Sequence, residues 1–463
     1  MAENTQPLGT AYTIDETIER LERWLKQDES IDPDQAPELQ NLLRQVPLKD
    51  LIDVVERQNA IRSAVALRLL TRTKSIQVFD ALDSRQQADI IDELGNAEVF
   101  EFFDGLEPDD RVSLLDELPA EIADRLLSSL NDFERDVTGV VLGYPKGSVG
   151  RRMSPEVPEI VASMSVEEAF QYLHTKADNV ETIYLLPVTR GDRRLVGIVS
   201  LRQLLRADAE AKVEDIMHEP IFAYSHDDAE ETARWFLPLD ELALPIVDDS
   251  RRLVGLLTWD DAADIIEEED TEDSARAGGT EALQQPYMST PLLTLVRKRI
   301  VWLLVLAISA LLTVQVLDAF EETLAAAVVL SLFIPLLTGT GGNTGNQAAT
   351  TVTRALALGD VRGKDILQVI WRELRVGMLL GAVLGLLGLG LATLVYGSDI
   401  GIVIGATLFL VCAMSATVGG MMPILAKTIG ADPAVFSNPF ISTFCDATGL
   451  IIYFLIAKTV LGL

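Results

Sequence analysis

Cysteine and histidine are nearly absent from this chain: Cys412 and Cys445, with His174, His218 and His226, are all that 463 residues contain. Two cysteines in apolar stretches build neither a disulfide framework nor a zinc-ligand spacing. Basic residues are scarce too, 38 Lys and Arg against 70 Asp and Glu, for a net charge of −32. A nucleic acid is therefore excluded as the main partner, because a phosphate-binding surface needs clustered Lys and Arg. Between Met1 and Tyr12 there is no basic stretch leading into an apolar run, so no signal peptide is expected. Intrinsic disorder is excluded by ample Leu, Val and Ile throughout.

An acidic chain should be hydrophilic, yet the mean hydropathy is positive. The two properties sit in different places. Residues 1–280 hold 60 acids and 28 bases, whereas residues 281–463 hold 10 of each. The second half contains five apolar runs, near 299–317, 323–340 (continuing helically to about 352), 375–396, 400–426 and 436–460. Each is long enough to cross about 30 Å of hydrocarbon at about 1.5 Å per residue. Arg297, Lys298 and Arg299 precede the first run, five arginines and lysines lie between 354 and 375, and Lys427 precedes the last. The opposite loops carry no base. Positive charge marks the inner face, so the acidic half is expected in the cytosol and the C-terminus outside a cell (inner) membrane.

Within the acidic half, Phe79-Asp80-Ala81-Leu82 and Ile90-Ile91-Asp92-Glu93-Leu94 return 24 residues later as Phe103-Asp104-Gly105-Leu106 and Leu114-Leu115-Asp116-Glu117-Leu118. Helical spacing with breaks before each new helix points to short antiparallel helices stacked as a superhelix. The stretch from Leu39 to Val55 reads as helical but out of register. A second duplication relates Arg193-Arg194-Leu195-Val196-Gly197-Ile198-Val199-Ser200 to Arg251-Arg252-Leu253-Val254-Gly255-Leu256-Leu257-Thr258. Each copy follows a Pro-containing strand (Leu186-Pro187-Val188; Leu244-Pro245-Ile246-Val247) and precedes a short helix, and Met153 and Met217 punctuate the chain upstream. This order resembles a tandem pair of CBS domains, small α/β modules whose clefts often take adenine nucleotides. In nucleotide-binding pairs an Asp of the final helix receives the ribose hydroxyls. Gln203 stands there in the first module, with Asp260 and Asp261 in the second. ATP is thus one reading of the pair, and a mechanical dimerisation module is the other.

In the apolar half one acid lies well inside a span, Asp446, and an ionisable group at that depth is a functional candidate by default. Asn438, Ser442, Cys445 and Asp446 share a helix face by their spacing, with Pro439 placed to free carbonyls at the helix start. Carboxylate, amide and carbonyl oxygens suit Mg²⁺ or Ca²⁺. The bland alternative is a carboxylate that bonds a neighbouring helix. The Gly-rich tract Thr338–Gln347 lacks the strand and Lys of a phosphate cradle; its small residues, like Gly419-Gly420, suit close helix packing.

The tract Thr338–Gln347, the run from Asp432-Pro433-Ala434 through Ser437-Asn438-Pro439 to Asp446-Ala447-Thr448-Gly449, the CBS pair and the helical N-domain, in that order, resemble the MgtE family of bacterial magnesium channels. The resemblance implies an N-terminal extension (1–38), a superhelical N-domain (39–146), CBS modules (147–208, 209–270), a connecting helix (271–298) and a five-span helical domain (299–463). It implies a homodimer in the bilayer whose last helices line a pore, Asp446 of each subunit holding a hydrated Mg²⁺ with Asn438 at the same entrance. It also implies cytosolic Mg²⁺ sensing by carboxylates at Asp109, Glu230, Asp240, Asp261, Asp264, Glu269, Glu272, Asp273 and Asp432, while Gln77 and Ser113 stand where the family has acids. The acidic run from Asp260 to Asp273 fits such a gate physically. Two carboxylates about 5 Å apart repel by roughly 3 kcal/mol at an effective dielectric near 20, and a divalent cation between them reverses the sign.

Three other classes compete. An anion channel is disfavoured by a buried charge that is negative, and an enzyme by the lack of a large soluble catalytic region or an activated Cys. A secondary carrier exchanging Mg²⁺ or Co²⁺ for Na⁺ or H⁺ is the nearer alternative. Single-channel steps separate it from a channel.

Overall fold

The computed structural model describes residues 46–176, 180–283, 290–429 and 438–463, with Ile18, Gln40, Leu43 and Tyr287. Apart from Ile18, the extension expected over 1–38 lies outside the described residues, as does Asp432. Two compact units divide the chain, Met1–Glu268 with Leu283–Thr290, and Glu269–Ala282 with Pro291–Leu463.

The first unit opens with helices that start every twelve residues: α1 (Leu48–Glu56), α2 (Ala60–Leu69), α3 (Arg72–Asp80), α4 (Ser84–Glu93), α5 (Asn96–Gly105), α6 (Pro108–Glu117), α7 (Ala120–Ser129) and α8 (Asp132–Leu142). Alternate helices pack on one another, α1, α3, α5 and α7 in one row and α2, α4, α6 and α8 in the other. Phe79, Phe103, Leu114 and Leu126 belong to the shared core. The 24-residue repeat is thus one helix from each row. The stretch Leu39–Val55, expected out of register, contains α1, which starts in phase at Leu48. A leucine closes each segment at 70, 82, 94, 106, 118, 130 and 142. The fourth residue of several helices also reaches back to a carbonyl eight residues earlier: Ser63 to Val55 at 3.0 Å, Ser75 to Leu67 at 2.9 Å, Gln87 to Phe79 at 2.8 Å and Arg111 to Phe103 at 3.0 Å. These donors reach carbonyls of the last helical turn, of which Val55, Leu67 and Phe79 also accept a backbone N–H from Gln58, Leu70 and Leu82 just beyond the helix.

After α9 (Val149–Arg152) come two copies of one small sheet. In the first, β1 (Ile160–Val161) runs parallel to β2 (Leu185–Arg190), and β2 pairs antiparallel with β3 (Arg194–Ser200); β4 (Ala223–Tyr224), β5 (Ala243–Val247) and β6 (Leu253–Thr258) repeat that order. Helices α10 (Val166–Lys176), α11 (Leu201–Arg206), α12 (Val213–Ile216) and α13 (Ala229–Phe236) complete the pair. The duplication extends to the irregularities. Register shifts fall at Val188/Thr189 and Ile246/Val247, and the left-handed turn residues are Arg193 and Arg251. The modules exchange their leading segments. Met217 lies against Gly197 and Met153 against Gly255, where an added Cβ would come within 2.5 Å of each sulfur. Ser154 and Leu256 exchange both backbone hydrogen bonds at 2.8 Å, as Ile198 and His218 do at 2.9 and 3.0 Å. The upstream methionines are therefore packing partners of the glycines in the opposite repeat.

Helix α14 (Trp259–Ala277) is continuous across position 271, where a separate connecting helix was expected to begin, and the helical conformation ends at Ala277 rather than near 298. Gly279, at φ +67°, stops it: Thr280 N–H bonds Ala275 O at 3.0 Å and Gly279 N–H bonds Arg276 O at 2.9 Å, the paired bonds of a left-handed helix cap.

The second unit continues with α15 (Leu292–Ala319), α16 (Glu321–Ala326), α17 (Ile334–Ala357), α18 (Ile366–Tyr396), α19 (Ser398–Thr428) and α20 (Asn438–Leu461). Among the described residues four helical segments are long and apolar enough to cross a membrane: Leu292–Ala319, Gly363–Tyr396, Ser398–Thr428 and Phe440–Leu461. The run expected to span 323–340 is different. Its apolar part breaks at Ala327 (φ −138°) into a 3₁₀ segment, Val328–Phe333. The long helix is α17, which carries Pro335 in its first turn and the whole Thr338–Gln347 tract. Its 24 residues reach about 36 Å, enough to cross, but Gly, Thr and Asn keep it from counting as apolar. Tyr453, fully buried, donates its hydroxyl to Leu330 O at 2.8 Å and so satisfies a carbonyl of the 3₁₀ segment where no water is at hand.

The glycines serve close packing, as expected of the Thr338–Gln347 tract. A Cβ at Gly345 would meet Ile441 at 2.7 Å and Cys445 Sγ at 3.1 Å, and one at Gly341 would meet Val411 at 2.8 Å. Gly377, Gly381 and Gly385 repeat the device between α18 and α19 at four-residue spacing, each facing a backbone carbonyl at 2.6–2.7 Å from such a Cβ.

Candidate functional site

Chemistry concentrates at two places, one in each unit. In the second unit α20 buries Ile441, Cys445, Leu450, Tyr453, Phe454 and Ala457 and exposes Phe444, Ile451 and Leu455. Asp446 lies half-buried between these faces. The polar stripe expected on this helix is divided by packing. Ser442 is committed to the bundle, where Asn346 of α17 donates to its hydroxyl at 3.0 Å, and Cys445 is sealed among Ala349 and Ile441. Asp446 keeps its carboxylate free: among the described residues no hydrogen bond or ion pair engages it. Asn438 opens α20; its side chain lies outside the described residues.

In the first unit Asp109 stands in the first turn of α6 at 6 % exposure, and its Oδ1 has no hydrogen-bond partner. Burial holds its carboxyl well above the usual carboxylate range, and the charges of Asp261, Asp110 and Glu181 add to the effect. Asp261 accepts from the Thr258 hydroxyl and from Thr258 N–H at 3.4 Å; burial, reinforced by Glu181 and Asp260 against those hydrogen bonds, pushes it up to about 6. Asp264 is raised by burial and then by Glu268, Asp260 and Glu267. These three sequence-predicted residues thus meet in one negative field.

Four carboxylates join them that sequence reasoning did not single out. Asp110 is pushed up to about 7 by burial, Asp80, Asp261, Glu181 and Asp264. Glu107 is pushed up to about 9 by burial, Glu181, Asp110 and Asp80, and Asp80 is raised by burial and Glu181. Glu181, from the loop before β2, acts on Asp80, Glu107, Asp109, Asp110 and Asp261 alike. Apolar helix contacts hold these groups together against their mutual repulsion, and a neighbouring arginine pinned elsewhere does not relieve it. Arg111 spends its guanidinium on the carbonyls of Phe103 (3.0 Å) and Asp104 (2.9 Å) and on Glu134. Among the described residues no three acids, histidines or cysteines stand close enough to enclose a bare metal ion. A hydrated divalent cation, held through its waters, suits such spacing better.

The other expected regulatory residues have separate surroundings. Glu230 accepts from Arg234 at 2.8 Å, and Asp240 occupies a left-handed turn position at φ +55°. In the second unit Glu272 pairs with Arg276 one turn on, and Glu269 and Asp273 lie on the same helix. In the CBS pair, Gln203 occupies the position equivalent to Asp261 and is tied to Ser200 N–H at 2.8 Å and to His218. The first module therefore offers no carboxylate to a ribose.

Comparisons with known proteins agree with this layout. Residues 334–456 match the MgtE profile, described as a divalent cation transporter, residues 46–147 the MgtE intracellular N domain, and residues 147–210 and 213–268 the CBS domain. A magnesium transporter MgtE of Thermus thermophilus is 33 % identical over 430 residues, 91 % of this chain and 95 % of the relative. One of Bacillus subtilis is 30 % identical over 396 residues, 84 % and 87 % of the two chains. The crystal structure of the cytosolic domain of the Mg²⁺ channel MgtE in complex with ATP aligns with 54 % of this chain and 99 % of its own, at 28 % identity and a TM-score of 0.49. With this identity sustained over nearly the full length, the chain belongs to the MgtE family of magnesium transporters.

Proposed function

We propose that this chain mediates Mg²⁺ uptake as a homodimeric channel in which the two α20 helices line a pore and Asp446 of each subunit holds a hydrated ion, with Asn438 at the same entrance. The observation that carries the reading is the free carboxylate of Asp446 in an otherwise apolar segment. A charge in hydrocarbon costs several kcal/mol unless something meets it, and among the described residues no cationic side chain pairs with this one. Mg²⁺ demands octahedral oxygen geometry and dehydrates reluctantly. A passage wide enough for the hydrated ion, with carboxylates accepting hydrogen bonds from its waters, avoids that cost. Five crossings, with α17 as the second, put the acidic half in the cytosol and the C-terminus outside, in keeping with the basic residues at 297–299 and 354–375.

The acidic cluster supplies the regulation. Cytosolic Mg²⁺ bridges Asp109, Asp261 and Asp264 and, with them, Glu230, Asp240, Glu269, Glu272, Asp273 and Asp432 across the N-domain, CBS pair and connecting segment. The bridged form is closed, and depletion lets repulsion spread it. Mg²⁺ rather than ATP is the ligand assigned here, since Asp261, at the position equivalent to Gln203, stands with Asp260 among acids that a further polyanion would repel. Mg²⁺ flux into liposomes, with the ion varied separately on each side, tests the reading. Flux that closes as Mg²⁺ rises on the cytosolic side supports it. Flux strictly tied to a Na⁺ or H⁺ gradient replaces the channel with a carrier.

A further inference from the structure

Where the acidic helix ends, the chain is fastened to the first span. The cap at Gly279 turns the backbone sharply, and the next three residues lie along one turn of α15. Thr280 Oγ1 donates to Lys298 O at 3.4 Å, Glu281 N–H donates to the same carbonyl at 3.3 Å, and Lys298 Nζ donates to Ala282 O. Of the three consecutive bases, Arg297 and Arg299 are exposed while Lys298 is half-buried, turned from the surface onto this strap. Helix cap, strap and lysine all belong to the second compact unit.

We propose that this clasp is the joint through which α14 acts on the membrane domain, and that Lys298 is its positioning residue. The inference rests on the Mg²⁺-gated reading above and names the regulation of that same channel. The physical reason is stiffness. The paired cap bonds leave Gly279 and Thr280 little freedom, so a displacement of the last turn of α14 reaches Ala282 undamped. A charge-assisted hydrogen bond then passes it to the turn of α15 that precedes the apolar segment. Without the ammonium, α14 can move while the span stays where it is. Lys298 stands in the turn of α15 before the apolar run and is assigned no part in holding the permeating ion, so unitary conductance is expected not to depend on it.

The test is single-channel recording in inside-out patches with Lys298→Met, which keeps the stem and removes the donor, and Lys298→Arg, which keeps a donor. The expected result is a shift of about tenfold in the cytosolic Mg²⁺ concentration that half-closes the channel for Lys298→Met, the scale of one charged hydrogen bond. Unitary conductance stays unchanged, and Lys298→Arg stays within about twofold. Should Lys298→Met fail to reach the membrane, Thr280→Val removes a second bond of the clasp and is expected to shift the midpoint in the same direction. A Mg²⁺ response identical to the parent's in the variant that is made overturns the joint. A parent channel with no response to cytosolic Mg²⁺ overturns the gate on which the joint depends.

Discussion

Asp110→Asn isolates the electrostatic half of the account. In the packed form the carboxyl of Asp110 is pushed up from 3.8 to about 7. Its folded value exceeds the unfolded one, so the packed form binds the extra proton and loses stability as pH rises from about 4 through 7. At about 1.4 kcal/mol per tenfold change in proton affinity, the penalty is roughly 4 kcal/mol at pH 8 and roughly 1 kcal/mol at pH 4.5. Asn has similar volume and no charge, and its own unmet hydrogen bonds take back about 1–3 kcal/mol. A net gain of about 1–3 kcal/mol remains, which is about tenfold to a hundredfold in the packed-to-open ratio. The assay is limited trypsin digestion of the full-length protein in detergent at pH 8 with EDTA, following cleavage within 46–268. The variant is expected to be cleaved more slowly than the parent without any Mg²⁺, and added Mg²⁺ is expected to protect the parent more than the variant. Equal cleavage of the two in EDTA would show that repulsion at this cluster does not hold the junction open.

Two further outcomes follow from the same structure. Because Asp261, Asp110 and Glu107 titrate at about 6, 7 and 9, EDTA-treated parent protein is expected to become more protease-resistant as pH falls from 9 to 5.5, and less dependent on Mg²⁺ as it does so; a flat profile contradicts the assignment. Gly381→Leu drives a side chain into Phe409, whose carbonyl oxygen lies 2.6 Å and whose Cα lies 2.9 Å from the new Cβ. A loss of at least about 1–3 kcal/mol is expected, read as a lower midpoint in detergent melting, whereas Gly390→Leu, with nothing within 4 Å, is expected to melt like the parent.

What was legible in the sequence had short-range causes. The CBS duplication was visible because both strands and the turn of each hairpin lie within sixteen contiguous residues, 185–200 and 243–258. The role of Met153 and Met217 was not, since each packs on the opposite repeat. The N-domain showed its 24-residue period through Phe-Asp-x-Leu, but the finer twelve-residue phase, written in leucines from Leu70 to Leu142, was hidden because the backbone-bonding position varies among Ser, Gln and Arg. The apolar run expected over 323–340, continuing helically to about 352, becomes a long helix only from Ile334, because hydropathy favours 323–333, where the backbone turns 3₁₀, over the Gly-Thr-Asn tract carried by α17. Asp446 stood out as an acid in an apolar run. Asp80, Glu107, Asp110 and Glu181 could not, because each fills an ordinary surface role by pattern: helix end, N-cap, first turn and loop. Only the fold brings the end of α3, the first turn of α6, the loop before β2 and the start of α14 near enough for their charges to interact.

The central claim concerns the carboxylate in α20, and one comparison addresses it directly: Mg²⁺ flux in liposomes for Asp446→Asn beside Asp399→Asn, which alters an exposed acid at the start of α19. The expectation is a loss of more than about tenfold in Mg²⁺ flux, or of its selectivity over monovalent ions, for the first, and a change within about twofold for the second. Equal flux and equal selectivity in the two variants would contradict the claim.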